Sequence, residues 1–158
     1  DLNNLFFNYG EIRNSKKISK QILSSREKRV INTTSDLVEL LKPLTPFRYQ
    51  KKFLAQIFQA IRIEVNNEIE VLKSFLEQAT KSLKTGGRIV CISYHSIEER
   101  CVKRYIQFGN FEGKDEKDFY GNSLRVLRKI GKVVVPSEKE IKINKRARSA
   151  KMRIAEKI

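Results

Sequence analysis

Histidine occurs once in these 158 residues, cysteine twice, methionine once and tryptophan not at all. The order Cys91, three residues, His95, five residues, Cys101 matches no familiar zinc spacing, so the sequence predicts no metal site. Two cysteines build no disulfide framework and fit a reducing cytoplasm. No apolar run approaches the ~20 residues of a membrane span, and no signal-peptide pattern opens the chain. Glycine is scarce, and the pair in "KTGGR" follows a helical pattern and enters an apolar one. An adenosyl or dinucleotide site wants the reverse, a glycine turn leading from strand to helix, so this pair reads as a connector. The chain opens on "DLNNLFFNYGE" without Met, as if in mid-domain, and is expected to be part of a longer protein. Acid is scarce too: 18 Asp and Glu stand against 33 Lys and Arg, a net charge of +15. Such an excess points to a polyanion, nucleic acid before an anionic membrane surface.

What is present is enough to fold, with 40% hydrophobic residues. Residues 11–29 read as a basic helix with Ile12, Ile18, Ile22 and Leu23 as a thin apolar stripe. "NTTSDLVELL" predicts a short helix capped by Thr33 or Thr34, and Pro43 and Pro46 break the chain after it. From Gln50 to Leu83, apolar residues from Leu54, Phe58, Ile61 and Val65 onward recur at steps of three and four, predicting one long helix bent near Arg62–Asn66. Glycine in "KTGGR" is expected to cap its end. Arg88–Tyr94 is a continuous apolar run, expected as a parallel strand buried on both faces. Ser96 with Glu99 forms an S-x-x-E box opening the next helix. "GNFEGKDEKDFYGNS" reads as a mobile loop, "LRVLRK" and "KMRIAEKI" as late strands, and "PSEKEIKIN" as a short helix. Helix, glycine turn, buried strand, helix is the order of an α/β fold; no internal repeat is visible.

Three features carry chemistry. His95 and Ser96 stand where the apolar strand ends, which is where open α/β sheets bind ligands; a helix start also offers free N–H groups to an anion. A histidine packed in a turn would look the same. Residues 125–158 hold twelve Lys and Arg against three Glu, centred on "NKRARSAKMR", where Arg146 and Arg148 bear guanidinium forks suited to phosphate. A solvated basic terminus is the plainer alternative, but interleaved Ile141, Ile143, Met152 and Ile154 predict that it folds. Gln59, Arg62 and Asn66 fall on one helical face and suit a base edge, or simply a solvated face.

Taken in order, "YGEIRNSKKISKQI", "INTTSDLVELL", "FQAIRIEVNNEIEVL", "GGRIVCISYHSIEERCVKR" and "NKRARSAKMRIAEK" resemble the second half of the RsmH (MraW) family, in the version found in Bacteroidetes. The family comprises bacterial methyltransferases that use S-adenosylmethionine to methylate the N4 amine of one cytidine in 16S ribosomal RNA. The resemblance implies an α/β chain: residues 1–64 belong to a helical substrate-recognition insertion, and 65–158 form the C-terminal part of a Rossmann-like methyltransferase core. Arg88–Tyr94 is then the fifth strand, next to the strand with the catalytic loop, and His95 and Ser96 line the target-base pocket. Gln59, Arg62, Asn66, Arg146, Arg148 and Ser149 become candidate RNA contacts. The partner is 16S rRNA or the small ribosomal subunit, not DNA or a membrane. The family's glycine-rich adenosylmethionine loop is expected upstream. A non-catalytic RNA-binding module is the alternative from another class.

Overall fold

The computed structural model describes residues 1–158, which divide into two units, Asp1–Glu68 and Ile69–Ile158. In the first, helices α1 (Leu2–Asn8), α2 (Ser15–Arg26), α3 (Thr34–Leu41) and α4 (Gln50–Val65) enclose Phe6, Ile18, Ile22, Leu41, Ile57 and Ala60. Each large side chain sealed from water here stabilises the unit by ~1.5–3 kcal/mol. The basic helix predicted over 11–29 is shorter at both ends. A Cβ on Gly10 would lie 2.7 Å from the Phe6 carbonyl oxygen, and Glu11 adopts a left-handed φ of 52°. The chain therefore turns before the helix begins at Ser15. Leu23 is exposed, not part of the stripe; Ser15 and Ser19 share the inner face with Ile18 and Ile22. Their hydroxyls donate to Asn3 Oδ1 at 2.8 Å and to the Ser15 carbonyl at 2.9 Å, as buried polar groups require.

Thr33 caps α3. Its Oγ1 accepts from the Asp36 N–H at 3.1 Å, and Asp36 Oδ2 accepts from the Thr33 and Asn32 N–H groups at 2.9 and 3.1 Å. The Thr33 backbone, then its hydroxyl, then Asn32 hold the Asp36 carboxyl below the usual carboxylate range. The stretch predicted as one bent helix is two, α4 and α5 (Glu68–Ser82), parted by Asn66 and by Asn67 at φ 54°. Within α4 the buried row is Ile57, Ala60 and Ile63. The predicted row of Leu54, Phe58, Ile61 and Val65 is half-buried, with Val65 exposed. Both rows are apolar, so the helical period alone does not fix which one turns inward.

The second unit joins α5 from Ile69 onward to β1 (Arg88–Ser93), α6 (Ser96–Phe108), β2 (Leu127–Val134), α7 (Glu138–Ile143) and β3 (Lys151–Lys157). The strand order is β1-β3-β2, and both pairings are antiparallel, with Ile89 opposite Ala155 and Cys91 opposite Arg153. Ile89, Ala155 and Leu127 pack on Leu76 of α5 and on Cys101, Val102, Tyr105 and Ile106 of α6. Cys101 belongs to this core, and burial pushes its thiol up to about 11. The parallel, doubly buried strand expected at 88–94 is thus corrected. Here β1 is an antiparallel edge strand, with Ile89 and Ser93 buried and Val90 and Ile92 more than half exposed (56% and 58%).

Other boundaries shift for local reasons. Lys157, not glycine, caps α5: its Nζ donates to the carbonyls of Leu83 at 2.7 Å and Lys81 at 3.3 Å, a cation placed on the negative helix end. The strand predicted at 124–129 runs over 127–134 because Gly131, at φ 63°, admits a register shift between Ile130 and Val134. His95, not Ser96, is the N-cap residue of α6, and Glu98, not Glu99, reaches back, accepting from the Tyr94 and His95 N–H groups at 3.2 and 3.3 Å. The loop predicted to be mobile, 109–123, is folded on itself. Asp118 Oδ1 accepts from the Tyr120 and Asn122 N–H groups at 2.8 and 2.9 Å, and Phe111 stacks on Tyr105 with ring centroids 4.9 Å apart.

Candidate functional site

Because β1 and β3 run antiparallel, the end of one lies beside the start of the other, with Ser93 opposite Lys151. That register joins two segments more than fifty residues apart in sequence. Between them lies a hollow of about 370 Å³ lined by Tyr94, His95, Ser96, Glu99, Ser149 and Lys151. Three residues singled out from the sequence, His95, Ser96 and Ser149, therefore share one wall. His95 is half-buried in the extended backbone before α6, while Tyr94 and Ser96 are exposed.

Ser149 reaches the hollow from the end of a short 3-10 turn, Lys145–Ser149. Asn144 caps it by accepting from the Arg146 N–H at 3.1 Å, and Ala147 plugs it into the protein. Arg146, Arg148 and Ser149 stay exposed around that anchor. The S-x-x-E pattern predicts a capping role for Glu99. In the structure Glu99 Oε1 instead accepts from Arg153 Nε at 3.0 Å and also from its Nη2. Both side chains are mostly buried, at 14% and 17% exposure. The pair ties the first turn of α6 to β3 and neutralises the only acid lining the hollow, leaving Lys151 as its charged group.

Chemically, the hollow offers an aromatic ring, an imidazole, two serine hydroxyls and an ammonium around one opening. A flat, polar, partly anionic ligand fits the chemistry of this set. Sequence patterns do not single out Tyr94, Lys151 or Arg153, since only the β1–β3 register reveals them.

Gln59, Arg62 and Asn66 lie in the other unit. Gln59 Nε2 donates to the Tyr9 carbonyl at 3.2 Å. Arg62 donates through Nε and Nη2 to the two Glu68 carboxylate oxygens at 2.7 and 3.0 Å, and Asn66 Nδ2 donates to Glu68 Oε1 at 3.3 Å. Glu68 thereby clasps the break after α4. Being largely exposed, this fork is worth ~0.2–1 kcal/mol despite its bidentate geometry.

A family model described as the MraW methylase family matches residues 1–158. The chain belongs to that family. Among curated relatives, the ribosomal RNA small subunit methyltransferase H of Flavobacterium johnsoniae is 55% identical over 158 residues, the whole of this chain and 52% of the relative. The proteins of the same name from Amoebophilus asiaticus and Parabacteroides distasonis are 50% and 48% identical, over 99% of this chain and 51% and 52% of theirs. The chain spans about half the length of the curated relatives it matches.

The MraW family's donor, S-adenosylmethionine, calls for a glycine cradle, and the one glycine pair of this chain is otherwise engaged. Gly86 N–H donates to the Lys157 carbonyl at 2.9 Å and Gly87 N–H to that of Lys84 at 2.8 Å. Both amides are thus committed, Gly86's to the end of β3 and Gly87's within the turn between α5 and β1. The two strand-to-helix turns, Tyr94–His95 and Val135–Ser137, contain no glycine. The residues of this chain do not build the glycine cradle that the cofactor's recognition wants.

Proposed function

We propose that this chain is the later half of an enzyme that methylates the N4 amine of a cytidine in 16S ribosomal RNA, in the bacterial cytoplasm, with S-adenosylmethionine as donor. The observation that carries this reading is the family match over all 158 residues, which favours the enzyme over a non-catalytic module. The first unit corresponds to the helical insertion of residues 1–64, and the rest to the C-terminal part of a Rossmann-like core. The apolar exposure of Val90 and Ile92 on an edge strand supports a further parallel neighbour and a covering layer supplied by residues outside this chain.

The donor's cradle lies outside these residues, so their share of the work is to hold the RNA. Cytosine's amine is a poor nucleophile because its lone pair is delocalised into the ring, and the base must leave its stack before reacting. Orientation then supplies much of the rate. The hollow is suited to hold such a base. Tyr94 meets the face of the flipped ring, and His95 and Ser96 meet its polar edge. Lys151, Ser149, Arg146 and Arg148 bind the adjoining phosphates. Gln59, Arg62 and Asn66 steady the helix break, and Arg62 and Asn66 keep exposed surface for RNA.

The test is to express the complete protein, incubate it with small-subunit RNA and labelled S-adenosylmethionine, and analyse the nucleosides. N4-methylcytidine is the expected product. Label in any other nucleoside, or none in RNA of either naked or assembled form, refutes the reading.

A further inference from the structure

We propose that the 3-10 turn Phe47–Tyr49 is a stacking platform for single-stranded RNA bases. This rests on the RNA reading above and adds a second binding site, in the first unit. Phe47 is 88% exposed and Tyr49 51%. A lone apolar side chain in water needs no explanation. Here two aromatic rings flank an arginine in one turn, and the Arg48 guanidinium carbon stands 4.6 Å from the Tyr49 ring centroid.

The turn is pre-organised. Tyr49 N–H donates to the Pro46 carbonyl at 2.9 Å and Thr45 N–H to that of Lys42 at 3.3 Å. Gln50 Nε2 ties the turn back by donating to the Lys42 carbonyl at 3.2 Å. A backbone held this way, with Pro43 and Pro46 fixing φ, has little freedom left to lose on binding. The charge is also of one sign. No acid occurs between Glu39 and Glu64, while Lys42, Arg48, Lys51 and Lys52 lie within five residues of the two rings in sequence. Cations that follow a phosphate backbone, interleaved with open aromatic faces, are how single strands are held without regard to sequence.

A second exposed pair, Phe119 and Tyr120 (98% and 85%), supplies the contrast. Residues 112–120 carry Glu112, Asp115, Glu116 and Asp118 against Lys114 and Lys117. That acidic excess repels a polyanion, so exposed aromatics alone do not make the platform; the basic setting of Phe47 does.

The chain contains no tryptophan, so Phe47→Trp places a single indole in the turn. Titration with a mixed-sequence oligoribonucleotide of about twelve nucleotides should quench that indole, and affinity by anisotropy should stay near wild type. Phe47→Ala should weaken binding roughly fivefold or more, the loss of one stacked base, without altering the salt slope. Phe119→Ala should bind within about twofold of wild type. An unquenched indole, or Phe47→Ala binding like wild type, overturns the platform and leaves the RNA reading standing. A wild-type protein that binds no oligonucleotide removes the RNA reading and the platform with it.

Discussion

Replacing Arg153 by Met strands the Glu99 carboxylate against β3. Glu99 accepts two guanidinium N–H groups, with 14% of its own side chain exposed and 17% of Arg153's. Removing one member of a fully buried pair costs about 3–5 kcal/mol. The residual exposure lets some water reach the carboxylate, so the loss should fall at or just below the lower end of that range, about 2–3 kcal/mol. At ~4–8 °C per kcal/mol for a unit of this size, the melting temperature should fall by at least ~8 °C. Urea unfolding followed by circular dichroism measures the loss. The decisive comparison is the double variant Glu99→Gln/Arg153→Met. It removes the stranded charge and should recover much of the loss, giving a coupling of about 1–3 kcal/mol. If Arg153→Met costs less than about 0.5 kcal/mol, or the two single losses simply add, the pair does not anchor α6.

The remaining expectations follow from the hollow and from the carboxylates. In the complete protein, His95→Ala should lower methyl transfer at least tenfold, about 1.4 kcal/mol of barrier, with little loss of stability; a change under about twofold leaves His95 a turn residue. Arg146→Ala/Arg148→Ala removes the two proposed phosphate contacts, so log affinity for single-stranded RNA against log salt should become shallower by about 1.4; an unchanged slope removes the 3-10 turn from the interface. Asp36 is held low by the Thr33 backbone, and Glu156 by Arg128 at 2.6 Å and Arg88 at 3.3 Å. Their folded pKa values lie below the unfolded ones, so the stability they give is present above the ordinary carboxylate range and is lost as pH falls through the folded values. Melting temperature should therefore drop below about pH 4, less steeply in Asp36→Asn; a higher melting temperature at pH 3 than at pH 7 would contradict this sign.

Local signals are legible in the sequence, and signals that depend on distant partners are not. Thr33 announces its own helix because the cap and Asp36 lie within three residues. The bend near Arg62–Asn66 is legible too, since Asn66 and Asn67 tolerate the dihedrals a break needs. Which row of α4 turns inward depends on Phe6 and Ile18, far away in sequence. Likewise, the S-x-x-E pattern at Ser96 is real, but Arg153 claims Glu99, and Glu98 takes the capping role.

The site follows the same division. His95 and Ser96 can be picked out because a helix start directly after an apolar run is informative by itself. Lys151 and Tyr94 cannot, because only the pairing of Ser93 with Lys151 brings them together. The strand between these cases is the most instructive. Ile89, Val90, Cys91 and Ile92 are apolar without alternation, a pattern made for burial on both faces, yet Val90 and Ile92 stand more than half exposed. An edge strand with an apolar outer face is a liability that proteins ordinarily blunt with charge or cover. Lysine and arginine abound elsewhere in this chain, but none lies between Ile89 and Tyr94. The sequence of β1 therefore carries an apolar outer face that the other residues of this chain leave exposed; on the proposed function a neighbour from the rest of the enzyme would cover it and close the hollow at its end.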